Sequence, residues 1–297
     1  MRDPGKYYIL VKRGGGQGDV LLSTPVLRAL KKKFPHSYLG MVTDIRGAEI
    51  LKDLPYIDRL YTCNNFWEVL DFHEPGYDLT VSLLYEKQLH LPYLDAFMMQ
   101  AGVSGYDKRP EIRLNPGVEN YARDLLKSFN PEGRPLIALH RGLTWPMRMW
   151  NDEGYRKVLQ HFRQKYRTGI VELSGTPGYN LGLGLDLTGR CDFKTTAAIL
   201  KRCSVLLCID SLLLHMASAV KLPTVGIFGP TDPKKVMLLD GINRPVVSTG
   251  PCKFCRHLRG ASVYVECTQK SFLCMEGIKP EQVIEGLEEV LIRTGAV

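Results

Sequence analysis

The chain has 297 residues, 44% of them hydrophobic and 24% charged, which excludes wholesale disorder and, at ~150 residues per domain, suggests two domains. It holds no run of 18 apolar residues, so no transmembrane helix is expected. The opening MRDPGKYYILVKRGGGQGD returns to charge and glycine too soon for a secretory signal, which points to the cytoplasm. Thirty-nine Lys and Arg against 31 Asp and Glu leave a net charge of +8, which favours anionic partners without choosing among nucleic acid, an acidic membrane surface and phosphorylated small molecules.

Taken in chain order, residues 7–12 (YYILVK) read as a short buried strand, and residues 19–34 as a helix with Val20, Leu27, Leu30 and Phe34 on one face. Strands are predicted at 38–42 and 77–83. Turn-rich NPGVEN at 115–120 and NPEGRP at 130–135 flank a helix of about ten residues, and the domain junction is placed there, giving domains 1–132 and 133–297. The alternation then restarts: strand 136–140, helix 151–166, strand 169–174, helix 194–202, strand 205–209, helix 211–220, strand 223–228 and a final amphipathic helix 280–293. Short apolar strands alternating with helices predict an α/β fold, with parallel sheets covered on both faces and ligands at the carboxyl ends of the strands.

Five segments carry residues suited to chemistry. The first is Gly14-Gly15-Gly16-Gln17-Gly18-Asp19, between the first strand and the first helix. Its glycines let backbone approach an anion, and the helix N-terminus adds unpaired N–H groups. It is neither a Walker loop nor a GxGxxG fingerprint. Asp19 reads either as the helix N-cap or as a general base. The second is HRGLTWPMRMW at 140–150, where Arg141 and Arg148 have the fork that grips phosphate; the plainer alternative makes Arg148 a solvated loop residue and Trp145 and Trp150 packing residues. The third, Asp210-Ser211-Leu212-Leu213-Leu214-His215, opens a helix with Asp210 or Ser211 as its cap. His215 reads there as a structural residue or a ligand contact. The fourth is the turn Gly229-Pro230-Thr231-Asp232, where Thr231 offers a donor to phosphate or simply closes a strand exit.

The fifth segment holds four of the eight cysteines, Cys252, Cys255, Cys267 and Cys274, in a basic stretch with Lys253, Arg256, Arg259 and Lys270. A CxxC pair with two further cysteines suits a closed, structural thiolate site for zinc or iron; reduced free thiols are the alternative. Cys63, Cys191, Cys203 and Cys208 are scattered in apolar contexts and read as core residues.

Together, GDVLLSTPVLRALKKKFP at 18–35, the Arg148-x-Trp150 element, DSLLLHMASAVKLPTVGIFGPTDP at 210–233 and the late CxxC segment resemble the family-nine glycosyltransferases, typified by ADP-heptose:lipopolysaccharide heptosyltransferases. The resemblance spans nearly the whole chain, in the family's order. It implies a GT-B fold of two Rossmann-like domains facing a cleft, with the last helix crossing back to the first domain in many members. It also implies inverting, metal-independent transfer of a heptose from ADP-heptose or a related nucleotide sugar. By position, Asp19 matches the catalytic base. Gly18, Arg148, Asp210, Ser211, His215, Gly229 and Thr231 match donor-binding positions, and the cysteine segment resembles a subgroup's metal finger. The implied partners are a nucleotide-sugar donor and a lipopolysaccharide or other anionic glycan acceptor, with peripheral association at the inner membrane left open. Leu212 stands where the family usually has glycine, and Thr176-Pro177-Gly178-Tyr179-Asn180 has no acid where relatives place a ribose-binding glutamate. These departures keep two alternatives in view: a non-catalytic sugar-nucleotide or glycan-binding module, and a protein heptosyltransferase with a metal finger. A nucleic-acid binder is disfavoured, because no basic–aromatic stripe accompanies the charge.

Overall fold

The computed structural model describes Asp3 and residues 5–143, 145–258, 267 and 271–297. The chain divides into two compact units, Met1–Arg113 and Leu114–Val297. The first unit contains β1 (Tyr8–Lys12), α1 (Gln17–Lys33), β2 (Tyr38–Asp44), α2 (Ile45–Leu51), β3 (Arg59–Cys63), α3 (Phe66–Asp71), β4 (Leu79–Ser82) and α4 (Tyr93–Gln100). Its four strands are parallel, in the order β3-β2-β1-β4. Tyr8 pairs with Tyr38, and Ile9 with Leu79. The chain runs outward from β1 to β3 on one side and returns to β4 on the other, so the strand order reverses beside β1. In open α/β sheets that reversal point is where ligands gather.

Helix α1 carries Pro25 in its interior, where proline removes one ladder bond. The Thr24 hydroxyl donates to the Leu21 carbonyl at 2.8 Å, which is the acceptor that proline leaves without its amide. The helix then tolerates the ring, and Val20, Leu21, Val26, Leu27 and Leu30 bury one side completely.

The second unit opens with α5 (Pro116–Phe129) and continues with β5 (Leu136–His140), α6 (Asp152–Tyr166), β6 (Gly169–Glu172), β7 (Leu185–Asp186), α7 (Phe193–Leu200), β8 (Val205–Ile209), α8 (Leu212–Val220), β9 (Thr224–Phe228), α9 (Pro233–Val236), β10 (Arg244–Val247), α10 (Cys255–Leu258), α11 (Leu273–Glu276) and α12 (Pro280–Arg293). Its strands are parallel, in the order β10-β9-β8-β5-β6-β7, so the order reverses between β5 and β8. Ile137, Leu139, Val205, Leu207, Val225 and Ile227 pack in one cluster with Tyr155, Val158, Leu159 and Phe162 of α6 and Val283, Leu287, Val290 and Leu291 of α12. The alternate residues Ala138, Leu206 and Cys208 are equally buried. A strand buried on both faces has no polar alternation, which is why these segments read as continuous apolar runs.

One expectation about organisation changes. The boundary falls at Arg113/Leu114 rather than 132/133, because α5 packs on α7 and buries Ala122 and Leu126 there. The final helix, α12, belongs to the second unit, on α6 and strands β8, β9 and β10. Of the four cysteines read as core, Cys208 is buried, while Cys63, Cys191 and Cys203 are half-buried. No described helix is long and apolar enough to cross a membrane.

Candidate functional site

In the first unit the glycine loop sits at the carboxyl end of β1. Gly15 needs its missing side chain, with φ at +97°, and its amide donates to Asp44 Oδ2 at 2.6 Å. Gly16 is the N-cap of α1 and has no side chain to satisfy the first turn. Asp19 therefore is not the cap. It lies in the first turn of the helix, where a carboxylate is favoured by the dipole, and Gly18 lies one residue before it. A Cβ on Gly16 would come within 2.8 Å of Asp19 Oδ2, so the glycine leaves room for that carboxylate.

Asp19 is held by a residue that sequence reading missed. Arg13 follows β1, and its Nη2 lies 3.1 Å from Asp19 Oδ2. The same guanidinium forks onto Glu86, with Nη1 to Oε2 and Nη2 to Oε1 both at 3.1 Å, and donates to the Leu83 carbonyl at 2.8 Å. Leu83 and Glu86 follow β4, so Arg13 bridges the two strands at the reversal point. Its side chain is 1% exposed and sits against the rings of Tyr85 (5.0 Å) and Phe97 (5.2 Å). Burial opposes its charge, but Asp19 and Glu86 together outweigh burial and hold the guanidinium above its ordinary pKa. The signal was faint: one arginine at the end of an apolar strand, with its second partner 73 residues away.

The second unit gathers most of the other candidates at its own reversal point, between β5 and β8. Arg148, in the loop after β5, donates from Nη1 to the Asp210 carbonyl at 2.8 Å and lies 3.4 Å from Asp210 Oδ2 through Nη2. Its guanidinium covers the Trp145 ring at 4.0 Å. Arg148 is thus a fixed cation rather than a solvated one, and Trp145 is its platform. Trp150 is a packing residue: 3% exposed, edge-on to Tyr155, with Nε1 donating to the Ile278 carbonyl at 3.1 Å. Arg141 is committed elsewhere, paired with Asp152 at the start of α6 and stacked on Tyr179 at 4.1 Å.

Ser211 is the N-cap of α8 by position, yet its hydroxyl makes no cap bond, and Ser211 Oγ is buried with no hydrogen-bond partner. Thr231 Oγ1, in the turn after β9, and Arg148 Nε are also buried and unpartnered. A buried polar atom left unpaired costs about 1–3 kcal/mol, so a polar ligand or a bound water at this end of the sheet is favoured by three such atoms. His215 is buried on α8. Leu212 begins α8 with helical backbone and is not among the described residues with positive φ, so its Cβ costs nothing in backbone strain. Glu172, the acid that ends β6, is 2% exposed and accepts the amides of Leu181 (2.5 Å) and Leu183 (2.8 Å).

The structure gives Gly229 a packing reason. A Cβ there would lie 2.9 Å from Cys274 Sγ and would also strike Met275, so the turn and the cysteine segment are in contact. None of the four cysteines of that segment is joined in a disulfide among the described residues. Burial first, and then the nearby Cys252, Cys255 and Cys267, push the Cys274 thiol up to about 12. Among the described residues no three His, Cys, Asp or Glu groups are assembled into a metal set. Arg259 and Lys270 lie outside the described residues.

Comparison with known proteins bears on the family and the fold. A family model described as glycosyltransferase family 9 (heptosyltransferase) matches residues 91–260. Lipopolysaccharide heptosyltransferase 3 of Escherichia coli K12 is 24% identical over 72% of this chain and 80% of its own. Among solved structures, a glycosyl transferase family 9 protein of Veillonella parvula superposes with a TM-score of 0.73 at 19% identity, covering 97% of each chain. The dodecameric iron-containing heptosyltransferase TibC, of enterotoxigenic E. coli and solved with ADP-D-β-D-heptose, superposes with a TM-score of 0.72 at 14% identity, over 99% of this chain and 78% of TibC. These neighbours give the two parallel-sheet units the GT-B class of fold. The family model spans more than half of the chain, and the chain belongs to glycosyltransferase family 9.

Proposed function

We propose that the protein transfers a heptose, or a closely related sugar, from ADP-heptose to a hydroxyl of a lipopolysaccharide core or another cell-surface glycan. The reading rests on one observation above the rest: Arg148, Ser211 and Thr231 present a fixed cation and buried, unpartnered hydroxyls in the loops after β5, β8 and β9. That set suits a diphosphate. The guanidinium forks onto two oxygens, the hydroxyls donate to others, and the N-terminus of the nine-residue α8 adds its dipole. Charge that gathers on the departing nucleoside diphosphate is stabilised there by groups already in place.

Asp19 is the base in this reading. An acceptor hydroxyl is a poor nucleophile, and a carboxylate that takes its proton as the new bond forms lowers the barrier. Attack opposite the leaving group inverts the anomeric centre. The step draws on protein groups for its charge stabilisation and needs no metal. ADP as the nucleotide is supported by TibC, whose structure holds ADP-D-β-D-heptose. We place the protein in the cytoplasm, at the inner membrane when it meets its acceptor.

In the same reading the four-cysteine segment would hold a structural metal, which requires its cysteines to draw closer than they stand among the described residues. Four thiols without carboxylates are the donor set of zinc or iron, and TibC is iron-containing. Cys252, Cys255, Cys267 and Cys274 would hold it, and binding would displace the proton that burial and neighbouring thiols keep on Cys274. The metal would tie the four cysteines together and take no part in transfer.

The test is a panel of nucleotide sugars, ADP-heptose included, incubated with heptose-deficient lipopolysaccharide and followed by mass spectrometry, with metal content measured in parallel. Heptosylated acceptor and stoichiometric ADP support the reading. Donor binding with no product from any acceptor replaces it with the binding-module alternative.

A further inference from the structure

The cysteine segment is docked on the turn after β9, and the docking delivers a second arginine. The Phe254 amide donates to the Gly229 carbonyl at 2.9 Å, and the Arg256 amide to the Pro230 carbonyl at 3.1 Å. The Asp232 amide in turn donates to His257 Nδ1 at 3.0 Å. Phe254 adopts φ of 60°, a left-handed conformation that a bulky residue takes only when its surroundings require it. Cys274 closes on the same turn from α11, against Gly229. Residues 229–232 are thus bonded to one half of the cysteine segment and packed against the other.

This docking sets the Arg256 guanidinium 5.1 Å from the Trp145 ring centroid. It is the ring that Arg148 already covers at 4.0 Å. Two guanidinium groups, one from the loop after β5 and one from the cysteine segment, therefore share a single indole. Each is attracted to the ring face, so one aromatic platform fixes two phosphate-binding forks in this part of the unit. Thr231, whose hydroxyl is fully buried without a partner, is next in sequence to the carbonyl that anchors Arg256. Asp210 meets the charge of Arg148 but leaves Arg148 Nε unpartnered.

We propose that Arg256 is a second donor-binding residue, which grips the diphosphate of the nucleotide sugar together with Arg148, and that the four-cysteine segment is the mount that holds it there. This rests on the transferase reading above. It gives the segment a task in substrate binding: whatever fixes the four thiols also fixes Arg256.

The experiment is calorimetric titration of the full chain with ADP and, separately, with adenosine. The proteins are wild type, Arg256→Ala, Arg256→Lys and Arg148→Ala, each checked by circular dichroism. A charge-assisted bond to phosphate predicts that Arg256→Ala weakens ADP at least about tenfold, that Arg256→Lys recovers part of this, and that adenosine binding is unchanged. ADP affinity equal to wild type, or a parallel loss for ADP and adenosine, overturns the role of Arg256. If folded wild type binds none of ADP, UDP and GDP, the transferase reading falls and the proposal falls with it. If wild type and Arg256→Ala bind ADP with equal affinity and Arg148→Ala does not bind it, only the proposal for Arg256 fails.

Discussion

The arginine between Asp19 and Glu86 yields the sharpest quantitative expectation. Consider Arg13→Met, Glu86→Gln and the double variant. At 3.1 Å a unit charge pair is worth about 5 kcal/mol at an effective dielectric near 20, and Arg13 has two such partners. Much of this is offset by the cost of burying a guanidinium that is 1% exposed. Asp19 and Glu86 keep 23% and 26% of their side chains in water, which reduces the gain further. The net cost of Arg13→Met is then about 3 kcal/mol, and the coupling between Arg13 and Glu86 about 1.5 kcal/mol, in keeping with a bidentate, partly buried pair. Two units make a single unfolding curve hard to read, so the assay is amide exchange in urea on peptides covering 8–12 and 38–44. Coupling below about 0.5 kcal/mol would show that the pair behaves as an exposed one and would refute the argument from burial.

Three further outcomes follow from the same structure. Gly15→Ala places a Cβ at φ +97° and should cost about 1–2 kcal/mol, read by the same exchange assay. Trp150→Ala empties a site that is 3% exposed and should destabilise the second unit by about 3–5 kcal/mol in urea titration, with Trp150→Phe losing about 1 kcal/mol for the bond to Ile278. Glu288, on α12, accepts from Lys165, His161 and Tyr166 of α6, and those bonds hold its pKa down to about 2. A depressed carboxylate stabilises the fold above its unfolded pKa of about 4.3 and loses that contribution as pH falls toward 2. The melting-temperature gap between wild type and Glu288→Gln, open at pH 7, should therefore close across that interval.

The strands of the second unit could be read from sequence because each central one is buried on both faces, and a continuous apolar run such as VLLCI at Val205–Ile209, too short for a helix, fits little besides an interior strand. The strands that escaped, RLYTC at Arg59–Cys63, LD at Leu185–Asp186 and RPVV at Arg244–Val247, lie at sheet edges, where part of each strand stays exposed and the pattern breaks. Helix α5 goes to the wrong unit on sequence alone because turn residues flank it on both sides; only its packing on α7 decides the matter. The candidate residues were legible where they share a motif, as Asp210 and Ser211 do. Arg13 and Arg256 were not, because their roles come from partners brought close by the fold: Glu86 for Arg13, and the Trp145 ring for Arg256.

The account depends most on Asp19 as the base. The most direct measurement is the initial rate of heptose transfer from ADP-heptose by wild type and Asp19→Asn, with donor affinity measured on the same samples. The substitution keeps the size of the side chain and removes its capacity to take a proton. The account predicts a rate lower by about 100-fold or more with donor affinity preserved, the scale on which a positioned general base contributes. Transfer by Asp19→Asn at the wild-type rate would contradict it.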